Sequence, residues 1–122
     1  RTGAYHQMIR VIVESPYGSD DPAVIEENKT YLRACMRDCV LKGETPYASH
    51  GLLTQDGVLR DEDPAERKLG IEAGFDWRPA ASKSVFYMDR GMSKGMKYGL
   101  DDAVALMLKD SSHQIEFRFL NK

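Results

Sequence analysis

The chain has 122 residues, 42% hydrophobic and 30% charged, with a formal net charge of −2, the size and balance of one soluble globular domain. It lacks the basic stripe expected of a nucleic-acid partner, and no apolar run reaches the roughly 20 residues of a membrane span. Two cysteines, Cys35 and Cys39, are too few for a disulfide scaffold and imply a reducing, cytoplasmic setting.

Residues 1–7 have neither the apolar core nor the cleavage pattern of a signal peptide. Because a strand-like run begins at Met8, a natural initiator, they are read as a tag or flexible tail, and 8–122 as a single domain. Met8–Glu14 is short and β-branched, a largely buried strand. The turn formers Ser15–Pro22 follow it. A helix over 23–42 carries an apolar stripe of Leu32, Cys35, Met36, Cys39 and Val40, which makes both cysteines core thiols, and Gly43 suits its end.

Thr45–His50 is a second, proline-weakened strand that places His50 at its end. Residues 51–63 form a polar loop of a length that often signals function. A helix then starts at Pro64 with Asp63 as its cap, and ends before Pro79. Leu69 and Ala73 share one of its faces, with Trp77 either joining that core or anchoring a subunit contact, while Asp61, Glu62, Asp63, Glu66, Arg67 and Lys68 read as a solvated helix start. Ser84–Met88 is the third strand. Met96, Leu100, Ala103 and Met107, broadened by Val104 and Leu108, mark the third long helix. Gln114–Leu120 alternates Ile115, Phe117 and Phe119 against Gln114, Glu116 and Arg118, a half-exposed last strand.

Strands alternating with helices predict an α/β three-layer sandwich around a small parallel sheet, flavodoxin/Rossmann-like. Right-handed crossovers favour the strand order 2-1-3-4. In that order the chain changes direction between the first and third strands, and a ligand crevice belongs beyond their carboxyl ends. The loops delivered there are 14–20 and 89–96.

Both loops carry unusual residues. After Asp89 come Gly91, Met92, Ser93, Gly95 and Met96 around a helix start, where backbone N–H groups favour an anion and glycines allow close approach. The spacing is not that of a P-loop or a dinucleotide fingerprint. The plainer reading is a tight turn with glycines for helix packing. Glu14, Ser15, Pro16, Tyr17 and Gly18 offer an acid at a strand end, a hydroxyl and an aromatic ring to stack on a base or sugar. His50 reaches the same crevice. No second histidine lies at metal-ligand spacing, so neither a metal nor a cofactor is expected.

The phrases Glu14-Ser-Pro-Tyr17, Ala48-Ser-His50, Gly70-Ile-Glu-Ala-Gly74 and Gly95-Met-Lys-Tyr-Gly99, with a strand ending at Asp89, resemble the nucleoside 2-deoxyribosyltransferase-like superfamily. The likeness runs over most of 8–120 and is strongest to a branch found in bacteria and phages. It implies binding of a nucleoside, nucleotide or nucleotide-derived signal at the switch point, in a cytoplasmic homo-oligomer. In such enzymes a glutamate near the last helix start attacks the anomeric carbon, and a strand-end acid positions the sugar. Asp89 matches the second acid, whereas Gly99 stands where the nucleophile belongs. A glycine can form no glycosyl intermediate. The first expectation is therefore a binding domain. The others are an N-glycosidic hydrolase or transferase using Glu14 or Asp89, and a phage interaction module.

Overall fold

In the computed structural model, residues 8–121 are described; the expected tail, 1–7, lies outside them. The elements are β1 (Ile9–Glu14), α1 (Pro22–Leu41), β2 (Glu44–Tyr47), α2 (Ser49–Leu52), α3 (Pro64–Trp77), β3 (Lys83–Tyr87), α4 (Lys94–Lys109) and β4 (Gln114–Arg118), with a 3-10 turn at Arg78–Ala80. The four strands are all parallel in the order β2-β1-β3-β4. The fold is thus the expected α/β, flavodoxin/Rossmann-like arrangement with helices on both sheet faces. No helix among the described residues is long and apolar enough to cross a membrane.

Side-chain alternation divides the core. Val11, Val13, Val85 and Tyr87 face α1, where they meet Leu32 and the free, buried thiols of Cys35 and Cys39. Phe86 faces α4 and packs on Met96 and Ala103. The caps are local: Asp21 accepts from the N–H of Ala23, Asp63 from those of Ala65 and Glu66, and Ser93 from that of Met96. Pro22 and Pro64 occupy first-turn positions that need no N–H.

Several expected faces differ. β2 ends at Tyr47, and His50 lies on α2 instead of at a strand end. Leu69 is exposed, because α3 turns Gly74 inward: a Cβ there would stand 2.5 Å from Ser49 Oγ on α2. Of the two readings of Trp77, the structure leaves the ring half-exposed, 5.0 Å from that of Tyr47. On α4, Met96, Gly99 and Ala103 are buried, whereas Leu108, at 82% exposure, lies beyond the sheet's cover.

On β4 the alternation holds, with Ile115 and Phe117 towards the α4 side, but the buried residue is the polar one. Register places Arg118 beside Tyr87 on the α1 face, where it is buried. Phe117 touches Phe86 at 5.5 Å between centroids yet stays half-exposed on this edge strand. Arg118 is held by a two-pronged pair with Glu44, Nη1–Oε1 2.7 Å and Nη2–Oε2 2.6 Å, and by the Tyr87 hydroxyl at 3.2 Å. Tyr87 in turn donates to Asp38 at 2.7 Å. Burial alone would raise the Glu44 pKa, but the hydrogen bonds and charge of Arg118 hold it below the usual value.

Removing one member of a buried pair strands the other, at about 3–5 kcal/mol. Glu44→Gln should therefore lower unfolding stability in urea by about 3 kcal/mol. Glu116→Gln, at the exposed end of the same cluster, should change it by less than about 1 kcal/mol. The native carboxyl of Glu44 titrates below the ordinary value of 4.5. Its contribution is therefore complete above that pH and lost as acid protonates it, giving Glu44→Gln the shallower acid limb.

Candidate functional site

Beyond β1 and β3, where the chain leaves towards opposite faces of the sheet, a cavity of about 180 Å³ opens. This is the topological switch point, where strand ends leave a crevice that no crossover fills. Four segments wall it: the β1–α1 turn, α2 with the loop after it, α3, and the first turn of α4. Eight sequence-derived candidates line it, namely Glu14, Ser15, Tyr17, Gly18, His50, Ser93, Gly95 and Met96.

Four others do not. Pro16 is buried behind the turn. Gly91 supplies the positive φ of 84° for a turn whose N–H meets the Met88 carbonyl. Met92 packs against the core beneath α4. Asp89 is fully engaged elsewhere: Oδ1 accepts from the Tyr31 hydroxyl at 2.7 Å, and its oxygens take the N–H groups of Leu120 and Asn121 at 2.9 to 3.1 Å. Burial raises its pKa, but these donors outweigh that and hold the carboxyl below its ordinary range. Asp89 fastens the segment after β4 to α1.

Glu14 has a different setting. Its Oε2 accepts from Arg78 Nη2 at 2.6 Å. Arg78 is 1% exposed, and also donates through Nε to Asp102 at 2.7 Å and through Nη1 to Ser84 at 2.7 Å. Ser84 Oγ lies 2.8 Å from His113 Nε2, and His113 Nδ1 lies 3.1 Å from the Ala81 carbonyl. A carbonyl only accepts, so Nδ1 carries a proton, and burial, which disfavours a second one, leaves Nε2 to accept from the Ser84 hydroxyl. His113 is thus neutral, its pKa lowered first by burial. For Glu14, burial pushes the pKa above its ordinary value, with Arg78 pulling the other way and the Asp102 charge adding to the rise.

Position 99 explains where this carboxyl sits. A Cβ built on Gly99 would meet Oε2, Cδ and Oε1 of Glu14 at 2.5 to 2.6 Å. The Glu14 head therefore lies directly over the glycine of α4, in space that any side chain at 99 would claim. An acid is present against α4 after all, delivered from β1 rather than from the helix.

On the other side of Glu14, Ser15 Oγ and His50 Nε2 are 2.8 Å apart, and the Tyr17 ring stands edge-on to His50 at 6.4 Å. Burial lowers the His50 pKa to about 4, so the ring is neutral at physiological pH. The buried Asn28 amide joins the two loops, donating to the Tyr17 carbonyl at 2.8 Å and accepting from Arg90 at 2.9 Å.

The cavity mouth holds residues that sequence reading placed in a solvated helix start. Arg67 pairs with Asp61 at 3.2 Å, and its guanidinium approaches both glycine walls: Cβ atoms on Gly18 and Gly95 would stand 3.2 and 3.8 Å from it. Lys94 and Glu66 also line the cavity. The α4 N-terminus, Arg67 and Lys94 together offer an anion or hydroxyl-rich ligand several donors. Glu14 offers a carboxyl able to accept or return a proton, and Tyr17 an aromatic wall.

Two outcomes follow from this geometry. Gly99→Ala should lose about 1–3 kcal/mol from overpacking the held carboxyl, although alanine favours a helix by about 1 kcal/mol; a rise in the thermal unfolding midpoint would show that Glu14 is free to move. His50 protonates more readily when unfolded, so its contribution to stability falls as pH drops from 6.5 towards about 4. His50→Gln should flatten that limb of a pH–stability profile measured in urea.

Among known proteins, neither a curated protein nor a solved structure matches the chain. A family profile does, over residues 9–111, and its description is a domain of unknown function, DUF7768. With most of its length inside that match, the chain belongs to the DUF7768 family.

Proposed function

We propose that the domain binds a nucleoside or nucleotide at the switch-point cavity. The observation that carries this reading is the convergence of the two loops on one cavity, with an aromatic wall on one side and the α4 N-terminus, Arg67 and Lys94 on the other. The phosphate or sugar hydroxyls face the α4 N-terminus and Arg67, and Tyr17 contacts the base. The resemblance to nucleoside 2-deoxyribosyltransferase-like proteins supports the same ligand class, and Gly99 supports binding without a covalent glycosyl intermediate.

A second reading, N-glycosidic hydrolysis, is favoured by the Glu14 carboxyl over Gly99 and by its burial-raised pKa. In that step a water oxygen bonds to the anomeric carbon as the glycosidic C–N bond breaks. The Glu14 proton goes to the leaving base, and the water's proton returns to the carboxylate. Sugar hydroxyl and free base are the products.

Calorimetry with nucleosides, mononucleotides and cyclic nucleotides, with each mixture chromatographed after incubation, separates the two. Binding with intact ligand supports the first reading; Tyr17→Ala should then weaken affinity about tenfold through lost stacking. Release of free base supports the second, in which Glu14→Gln keeps binding but stops turnover. Turnover that survives Glu14→Gln removes that carboxyl from the chemistry, and silence in both assays removes both readings.

A further inference from the structure

A second cavity, of about 530 Å³, adjoins the first, and Tyr17 and Thr54 line both. The first, at about 180 Å³, is smaller than the roughly 300–1,000 Å³ of sites that enclose a drug-sized ligand. The second falls inside that range. Thr54 is fixed at the boundary by a 2.5 Å bond from its hydroxyl to the His50 carbonyl, and Tyr17 by the Asn28 amide on its own carbonyl. The divider is therefore built into the fold, a ring and a hydroxyl with space on either side.

The two lobes have related but unequal chemistry. Leu32, Met36, Tyr47 and Leu52 give the second lobe apolar walls, and its rim carries two cations, Lys29 and Arg33, one turn apart on α1, against one carboxylate, Asp56. Lys29 reaches Glu26 at 3.1 Å, whereas Arg33 makes no ion pair among the described residues. In the first lobe Arg67 is paired with Asp61, and Lys94 is the cation without an ion pair among the described residues. Each lobe thus has one cation, Lys94 or Arg33, without an ion pair among the described residues, and the second lobe has one carboxylate, Asp56, against two cations. Apolar walls beside a cationic rim suit a flat base attached to a phosphate.

We propose that the two cavities form one bipartite site for a dinucleotide, with one nucleotide unit in each lobe and the linking phosphate passing Tyr17 and Thr54. This rests on the nucleotide-binding reading above and names its ligand class. The first lobe takes a sugar–phosphate portion against the α4 N-terminus and Glu14. The second takes the other base between its apolar walls, with phosphate oxygens towards Arg33 and Lys29. A mononucleotide fills one lobe and leaves the other to water, so the two-unit ligand binds more tightly through the tether alone.

The test is calorimetric titration of the protein with nucleoside 5′-monophosphates and with the 5′-phosphorylated dinucleotides built from them, repeated on Arg33→Ala. Arg33 is exposed on α1, so the variant keeps the fold, which circular dichroism checks. The expected result is a dinucleotide at least about tenfold tighter than either of its halves, with Arg33→Ala reducing that advantage to about twofold or less. Mononucleotides that bind as tightly as dinucleotides overturn the bipartite site and leave the single-cavity reading standing. A dinucleotide advantage that survives both Arg33→Ala and Lys29→Ala overturns it equally. No binding by either class overturns the nucleotide reading itself, and the bipartite site with it.

Discussion

The buried guanidinium of Arg78 is the contact on which the candidate site depends. It is among the largest fully buried side chains in the molecule, and a charge at that depth is tolerated only where its donors are taken up. Its three partners come from three elements: Glu14 from β1, Ser84 from β3 and Asp102 from α4. One residue after α3 thereby ties two central strands to the helix whose N-terminus forms the cavity wall. No buried side-chain nitrogen or oxygen among the described residues is left without a partner. A network this complete resists rearrangement, because moving one member leaves the others unpaired at low dielectric.

That network also decides where the site's acid can be. Two carboxyls share one guanidinium, and Glu14 is the one that also faces the cavity. Its head needs the room above Gly99, so the glycine and the strand-end glutamate are linked by packing. A carboxylate extended from position 99 would occupy the same volume and repel the same charge. A single site of this geometry accommodates one acid against that turn of α4. The chain supplies it from β1, where a buried arginine can fix it.

Much of this was legible in the sequence. Strand and helix periodicity, with proline and aspartate at helix starts, gave the alternation and hence the parallel sheet. The direction change in the strand order pointed to both site loops. What was not legible depends on contacts between distant segments. An arginine before Pro79 carries no local mark of burial. Arg67 and Asp61 read as solvated charges because their approach to Gly18 and Gly95 requires the folded loop. Arg118 became the buried residue of β4 because Glu44, 74 residues away, receives it. Leu69 misled because α3 packs on α2 through Gly74, whose closeness to Ser49 outweighs the pattern of the apolar side chains.

The two strand-end acids show how the same sequence feature reaches opposite ends. Glu14 ends β1, and Asp89 follows β3 by two residues, both at the carboxyl ends of central strands. Asp89 meets a hydroxyl and two backbone N–H groups, donors that favour its charged form and use up its lone pairs. Glu14 meets a single guanidinium that it shares with Asp102, and burial opposes its charge. An acid saturated by donors is a fastening. An acid held by one oxygen, destabilised as an anion and open to a cavity retains the capacity to exchange a proton or to grip a hydroxyl. The resemblance implies a sugar-positioning role for Asp89; in this chain its hydrogen bonds fasten the segment after β4 to α1, and of the two strand-end acids Glu14 is the one that lines the cavity.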